Sequence, residues 1–201
     1  MWGGADPGGK GKFGVARLQA NGSFKLRCVN SGDDAEEFLK GISSLGIDAP
    51  LWWSTTATGA RRVDQLLKAK YGLSSGQVQY VNSLRGAAVV QGPLLAKIMR
   101  SENPNIPITE THPKALLKAL RKSGKLQDES WQSISNHFAV KGREPETEHE
   151  RDALMSAIVA REAAKNVYTF NLALGRNQRE LDPADTWYGP VHYWWFEDIE
   201  N

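Results

Sequence analysis

The chain has 201 residues, 40% of them apolar and 24% charged, with a formal net charge of +2. That length suits one domain with a real core, and those fractions exclude disorder, collagen and coiled coil. No apolar run approaches the roughly 18 residues that span a bilayer, the first residues lack a secretory leader's pattern, and the lone Cys28 excludes an internal disulfide, so a cytoplasmic protein without a membrane partner is expected.

The first thirty residues read as three strands joined by short turns. Residues 3–6 form a short apolar entry ending at Asp6, and the Pro-Gly-Gly-Lys-Gly at 7–11 is a turn, since Pro sets φ and glycine permits positive φ. Its glycines and Lys10 lack the spacing and the following Ser or Thr of a phosphate loop. Residues 13–18 are a second strand, Asn21-Gly22 is a tight-turn pair, and residues 24–29 alternate as a third strand should.

The pattern then changes to alternation of strands and helices. Capping residues at 31–34 precede a helix over 35–42, and a short strand over 46–50 is stopped by Pro50. A polar stretch at 54–60 leads to a helix over 63–71, an ambiguous segment at 78–82 and a helix over 87–100. After a break at 103–107 come a strand at 108–110 and a helix over 113–122 with Pro at its first turn. A polar, acidic loop at 142–148 precedes a long helix over 148–166, and the aromatic tail at 185–201 is expected to pack back on the body. The whole reads as one domain over 1–201, with 61–84 as a candidate insertion. Its class is α/β: a mixed five-stranded sheet, three antiparallel strands and then strand-helix alternation with parallel pairing, flanked by helices.

In that arrangement four carboxylates occupy corresponding places. Asp6, Asp48 and Glu110 fall at the ends of the first, fourth and fifth expected strands, and Asp152 lies near the start of the last long helix. Functional groups of open α/β sheets collect at the carboxyl ends of parallel strands. Two carboxylates about 4 Å apart repel by roughly 4 kcal/mol at an effective dielectric near 20, so either one is protonated or a cation neutralises them. Oxygen-only ligands suit Mg²⁺ or Mn²⁺ better than zinc, and a pair of such ions can clamp a phosphodiester. The helical spacing of His149 and Asp152 puts both on one face, where His149 could bind metal or relay a proton, or simply lie exposed near the helix start. Taken singly, each acid also has a plain reading as a turn or cap residue.

The net charge neither demands nor excludes a nucleic-acid partner; the placement of basic residues matters more. Lys114, Lys118, Arg121 and Lys122 recur at helical spacing directly after Glu110, and with Arg61 and Arg62 they are candidate contacts to the backbone of DNA or RNA. The alternative for the stripe is a solvated helix face. Trp52 and Trp53 could stack on a base, or pack in the core.

Residues 4–16, 46–51 (Gly-Ile-Asp-Ala-Pro-Leu), 108–113 (Ile-Thr-Glu-Thr-His-Pro) and 151–154 (Arg-Asp-Ala-Leu) together resemble the RNase H-like superfamily, and most closely the predicted nucleases of the domain-of-unknown-function 429 group. The resemblance implies an RNase H-like sheet and a Mg²⁺- or Mn²⁺-dependent nuclease site. It assigns metal binding to Asp6, Asp48 and Asp152, and places Glu110 in the site with His112 beside it. His149 before Asp152 is similar to the His-x-x-Asp step of RuvC-type resolvases, and Arg61, Arg62 and Asp64 fall where the group carries an Arg-rich turn. Two other readings are a non-catalytic binding or scaffold protein on the same fold and an actin-like phosphotransferase, for whose usual two-domain body the chain is short.

Overall fold

Residues 1–84, 86–174, 185–187 and 192–199 are described by a computed structural model, 185–187 through their backbone alone. The antiparallel meander consists of β1 (Trp2–Asp6), β2 (Phe13–Leu18) and β3 (Phe24–Val29). β1 and β2 are buried on both faces, whereas β3 alternates between half-buried and exposed residues. That contrast marks β3 as an edge strand and the other two as interior strands covered by helices.

Helix α1 (Gly32–Leu39) starts at Ser31, whose hydroxyl accepts from the Asp34 N–H at 3.2 Å. It ends before the expected position 42 because Lys40 leaves helical geometry and Gly41 takes a φ of +80°. β4 (Ser44–Ile47) begins earlier than expected and stops one residue before Asp48. β5 (Trp52–Ser54), α2 (Arg62–Tyr71) and α3 (Gly86–Glu102) follow, then β6 (Ile108–Glu110) and α4 (Pro113–Lys122), which carries Pro at its first position. α5 (Trp131–His137) was not foreseen from the sequence. α6 (Glu148–Ala164) is capped by the Thr147 hydroxyl, which accepts from the Glu150 N–H. The chain closes with β7 (Phe170–Asn171), β8 (Asp185–Trp187) and β9 (Trp194–Trp195).

The sheet is five-stranded and mixed, in the order β3-β2-β1-β4-β6. β1 pairs antiparallel with β2 and parallel with β4, and β4 pairs parallel with β6. Two short ribbons, β5 with β8 and β7 with β9, lie outside it. The segment around His192 borders β6, where the Glu110 N–H donates to the His192 carbonyl at 2.7 Å.

α6 lies across β2, β1 and β4, and glycines make room for it. A Cβ at Gly14 would collide with the His149 carbonyl oxygen, one at Gly4 with that of Ala153 and one at Gly46 with that of Ser156. The helix backbone therefore rests on the strands with no side chain between. Gly3 faces the other side, toward Leu39 and Ile42. The core between these layers is built from aliphatic residues such as Val15, Leu45, Ile47, Leu116 and Ile158.

Candidate functional site

Parallel pairing of β1 and β4 puts their carboxyl ends side by side. Asp6 is the last residue of β1, and Asp48 follows β4 with its N–H donating to the Ala5 carbonyl at 2.8 Å. α6, held on the glycines of β2, β1 and β4, brings His149 and Asp152 to the same end. His149 Nδ1 lies 2.6 Å from Asp6 Oδ2. Asp152 is 2% exposed, and its Oδ1 has no hydrogen-bond partner. The nearest cation, Arg151 Nε, is 3.6 Å from that oxygen, too far for a hydrogen bond.

The three aspartates feel one another's charge. Burial drives Asp6 up to about 6, against the lowering pull of its His149 hydrogen bond and with a further push from Asp152. Burial lifts Asp48 well above the usual carboxylate range, and the charges of Asp6 and Asp152 lift it further. Asp152 also rises to about 6 through burial, opposed by Arg151 and Lys114. Carboxylates so placed resist simultaneous ionisation unless a cation joins them.

Glu110 closes the next strand, and its charge also acts on Asp48, but its own oxygens are paired. Its two oxygens accept from Arg61 Nη1 at 2.8 Å and Nη2 at 2.6 Å, and Oε2 also accepts from the Leu51 N–H. Arg61 turns its remaining edge to Asp64, with Nε to Oδ2 at 3.0 Å and Nη2 to Oδ1 at 2.8 Å. The guanidinium also lies 4.3 Å from the centre of the buried Trp52 ring. Arg61, expected to meet phosphate, is 4% exposed and saturated by carboxylates. Glu110, expected to complete the acidic site, is held as an ion-pair anchor.

The other basic residues are spread out. Arg62 donates to the Leu174 carbonyl at 3.0 Å, Arg121 pairs with Glu129 at 3.7 Å, and Lys122 Nζ reaches the Tyr71 carbonyl. Lys118 is half-buried on α4. Lys114, near the start of α4, pairs with Glu148 Oε1 at 2.5 Å and lowers the titration of Asp6, Asp48 and Asp152 alike. Trp53 is 40% exposed.

Two further groups lie near the Arg61 network. His112, which caps α4, has a buried Nδ1 without a hydrogen-bond partner, and burial pulls it down to about 4. Tyr193 comes from the far end of the chain, and its ring meets Trp52 edge-on at 6.1 Å. Its buried hydroxyl lacks a hydrogen-bond partner; burial raises its titration first, and the charges of Glu110, Asp64 and Asp48 raise it further. No spacing rule connects residue 193 to residue 48, so only the path of the chain could reveal it.

The donor chemistry of one buried and two half-buried carboxylates, with an Asp152 oxygen left unpartnered, suits a hard divalent cation. Among the described residues, no three side chains of His, Cys, Asp or Glu already form a cluster that could hold an ion. Comparison of the chain with protein-family models, with curated proteins and with solved structures returned no match.

Proposed function

We propose that the chain is a Mg²⁺- or Mn²⁺-dependent phosphodiesterase acting on nucleic acid, on an RNase H-like fold as the resemblance to the domain-of-unknown-function 429 group implies. One observation supports this reading: His149 lies 2.6 Å from Asp6, so the helix that carries Asp152 is held beside the parallel strand ends that carry Asp6 and Asp48. Asp6, Asp48 and Asp152 would hold the cation. When bound, it would polarise the phosphate and lower the pKa of the attacking water. His149, hydrogen-bonded to Asp6, would keep that carboxylate oriented and could exchange a proton at its Nε2. Glu110 acts through the backbone, since its bond to the Leu51 N–H steadies the turn that follows Asp48.

Asp152→Asn keeps the shape of the side chain and removes its charge. The variant is expected to fold like the parent and to lose Mn²⁺-dependent cleavage of labelled DNA and RNA oligonucleotides. Full activity in a contaminant-free preparation of this variant would remove the proposal.

A second reading is favoured by the pairing of Asp6 with His149 and the absence of a ready cation cluster among the described residues. On it the protein is a non-catalytic binding or scaffold protein on the same fold. Calorimetric titration with Mn²⁺ separates the two. Saturable binding that disappears in Asp6→Asn/Asp48→Asn supports the enzyme, and no binding by the parent protein supports the scaffold.

A further inference from the structure

Of the six basic residues that the sequence offers as contacts to nucleic acid, one is tied to the helix that carries Asp152. Arg61 is enclosed by Glu110 and Asp64. Arg62 is turned to the Leu174 carbonyl. Arg121 and Lys122 sit at the far end of α4, about 10–12 Å along the helix axis from Lys114. Lys118 follows Lys114 by one helical turn. Lys114 is near the start of α4, directly after β6, and its ion-pair partner Glu148 precedes Asp152 by about one turn on α6.

The resting partner of Lys114 is Glu148, the first residue of α6. The two side chains are 49% and 54% exposed, so this ion pair between α4 and α6 is in water. Exposed pairs contribute only about 0–1 kcal/mol, and one can be exchanged for another anion at little cost. A lysine on a four-carbon stem, with three rotatable donors, suits such an exchange. The first turn of α4 adds a helix start, where negative charge is favoured. The acids themselves repel a phosphate, so a nearby cation is needed for an anion to approach even after a metal ion has bound.

We propose that Lys114 is the phosphate-binding residue of the acidic site: its ammonium leaves Glu148 to hold a non-bridging oxygen of a phosphodiester lying over Asp6, Asp48 and Asp152. Glu148 is then a built-in competitor that occupies the lysine until substrate arrives. The inference rests on the phosphodiesterase reading of the site and adds the residue that selects an anionic substrate.

The test is Mn²⁺-dependent hydrolysis of bis(4-nitrophenyl) phosphate by the parent protein, Lys114→Gln, Glu148→Gln and the double variant. Lys114→Gln is expected to raise KM about tenfold or more, the worth of one charge-assisted hydrogen bond. Glu148→Gln is expected to lower KM, and that gain should vanish in the Lys114→Gln background. An ion pair that merely joined the two helices would instead give single variants with the same direction of effect. Calorimetric Mn²⁺ binding should be kept or tightened in Lys114→Gln, because a positive charge leaves the cluster. If the parent hydrolyses the ester and Lys114→Gln leaves KM unchanged, or Glu148→Gln raises KM, the role given to Lys114 is wrong and the metal site stands. If the parent neither binds Mn²⁺ nor hydrolyses the ester, the phosphodiesterase reading falls and takes this role with it.

Discussion

Arg61 carries more of the local architecture than any other charged side chain around the site. It joins Asp64 of α2 to Glu110 of β6, and Glu110 in turn holds the Leu51 N–H after Asp48. The ion pairs are buried, so their attraction is offset by desolvation, but breaking them on one side leaves carboxylates with nothing to neutralise them. Arg61→Met should therefore lower stability by about 3–5 kcal/mol in urea denaturation, a loss larger than the lost packing of one surface arginine. Arg61→Lys should recover only part, because an ammonium cannot face two carboxylates with paired donors. A loss below about 1 kcal/mol for Arg61→Met would show the network to be dispensable. The sequence offered Arg61 as a phosphate contact, and the resemblance placed it in an Arg-rich turn. What reversed that expectation is Glu110, distant in sequence and brought opposite by the parallel pairing of β4 and β6.

The element that assembles the site is α6. Its face toward the sheet includes the small residues Ala153 and Ala157, which lie against Gly4. The glycines beneath the helix, Gly14 on β2, Gly4 on β1 and Gly46 on β4, lie on three separate strands, and only the register lines them up. Gly4→Ala should force the helix away from the strands, because the new methyl would meet backbone rather than a movable side chain. The expected loss is about 2 kcal/mol or more by chemical denaturation, the usual cost of overpacking against rigid structure. Cation binding should weaken with it, since α6 carries Asp152. A variant that keeps the stability and Mn²⁺ affinity of the parent would show that the helix has slack at this position. By contrast, Gly9→Ala, where a Cβ would meet nothing within 4 Å, should be close to neutral.

Across the whole molecule, the acids link stability to pH. Asp6 and Asp152 titrate near 6 in the folded chain against an ordinary 3.8, and Asp48 is raised as well. The folded state thus holds protons that the unfolded state has released. Their favourable contribution is full below about pH 4 and is lost as pH rises through 6, at a cost of about 1–3 kcal/mol per raised group. His112 has the opposite sign: pulled down to about 4, it favours folding above its ordinary 6.5 and loses that contribution as pH falls. Comparing the parent with Asp48→Asn in a chelator isolates the aspartates. The difference in melting temperature should favour the variant, and should grow from pH 5 to pH 8. Mn²⁺ should raise the melting temperature of the parent more at pH 8 than at pH 5, because only ionised carboxylates bind it. Parallel pH profiles for parent and variant would show that the aspartates do not share a field.

By itself the sequence determined the local features of this protein. Turn chemistry set the meander, caps and Pro113 set helix starts, and the alternation of strands with helices led to a mixed five-stranded α/β sheet. It also marked Asp6, Asp48 and Asp152 through their places at strand ends and a helix start. Its errors lay at boundaries such as 39 against 42, and in short elements such as α5 and the two ribbons, whose residues have little periodicity of their own. Tertiary structure alone decided which charges are neutralised and which are left unbalanced. Glu110 is satisfied by Arg61, an Asp152 oxygen is left without a hydrogen-bond partner, and Tyr193 meets Trp52 from the other end of the chain. The physical reason is that the energy of a charge depends on its burial and on neighbours that are distant in sequence, whereas helix and strand preferences depend on residues a few positions away.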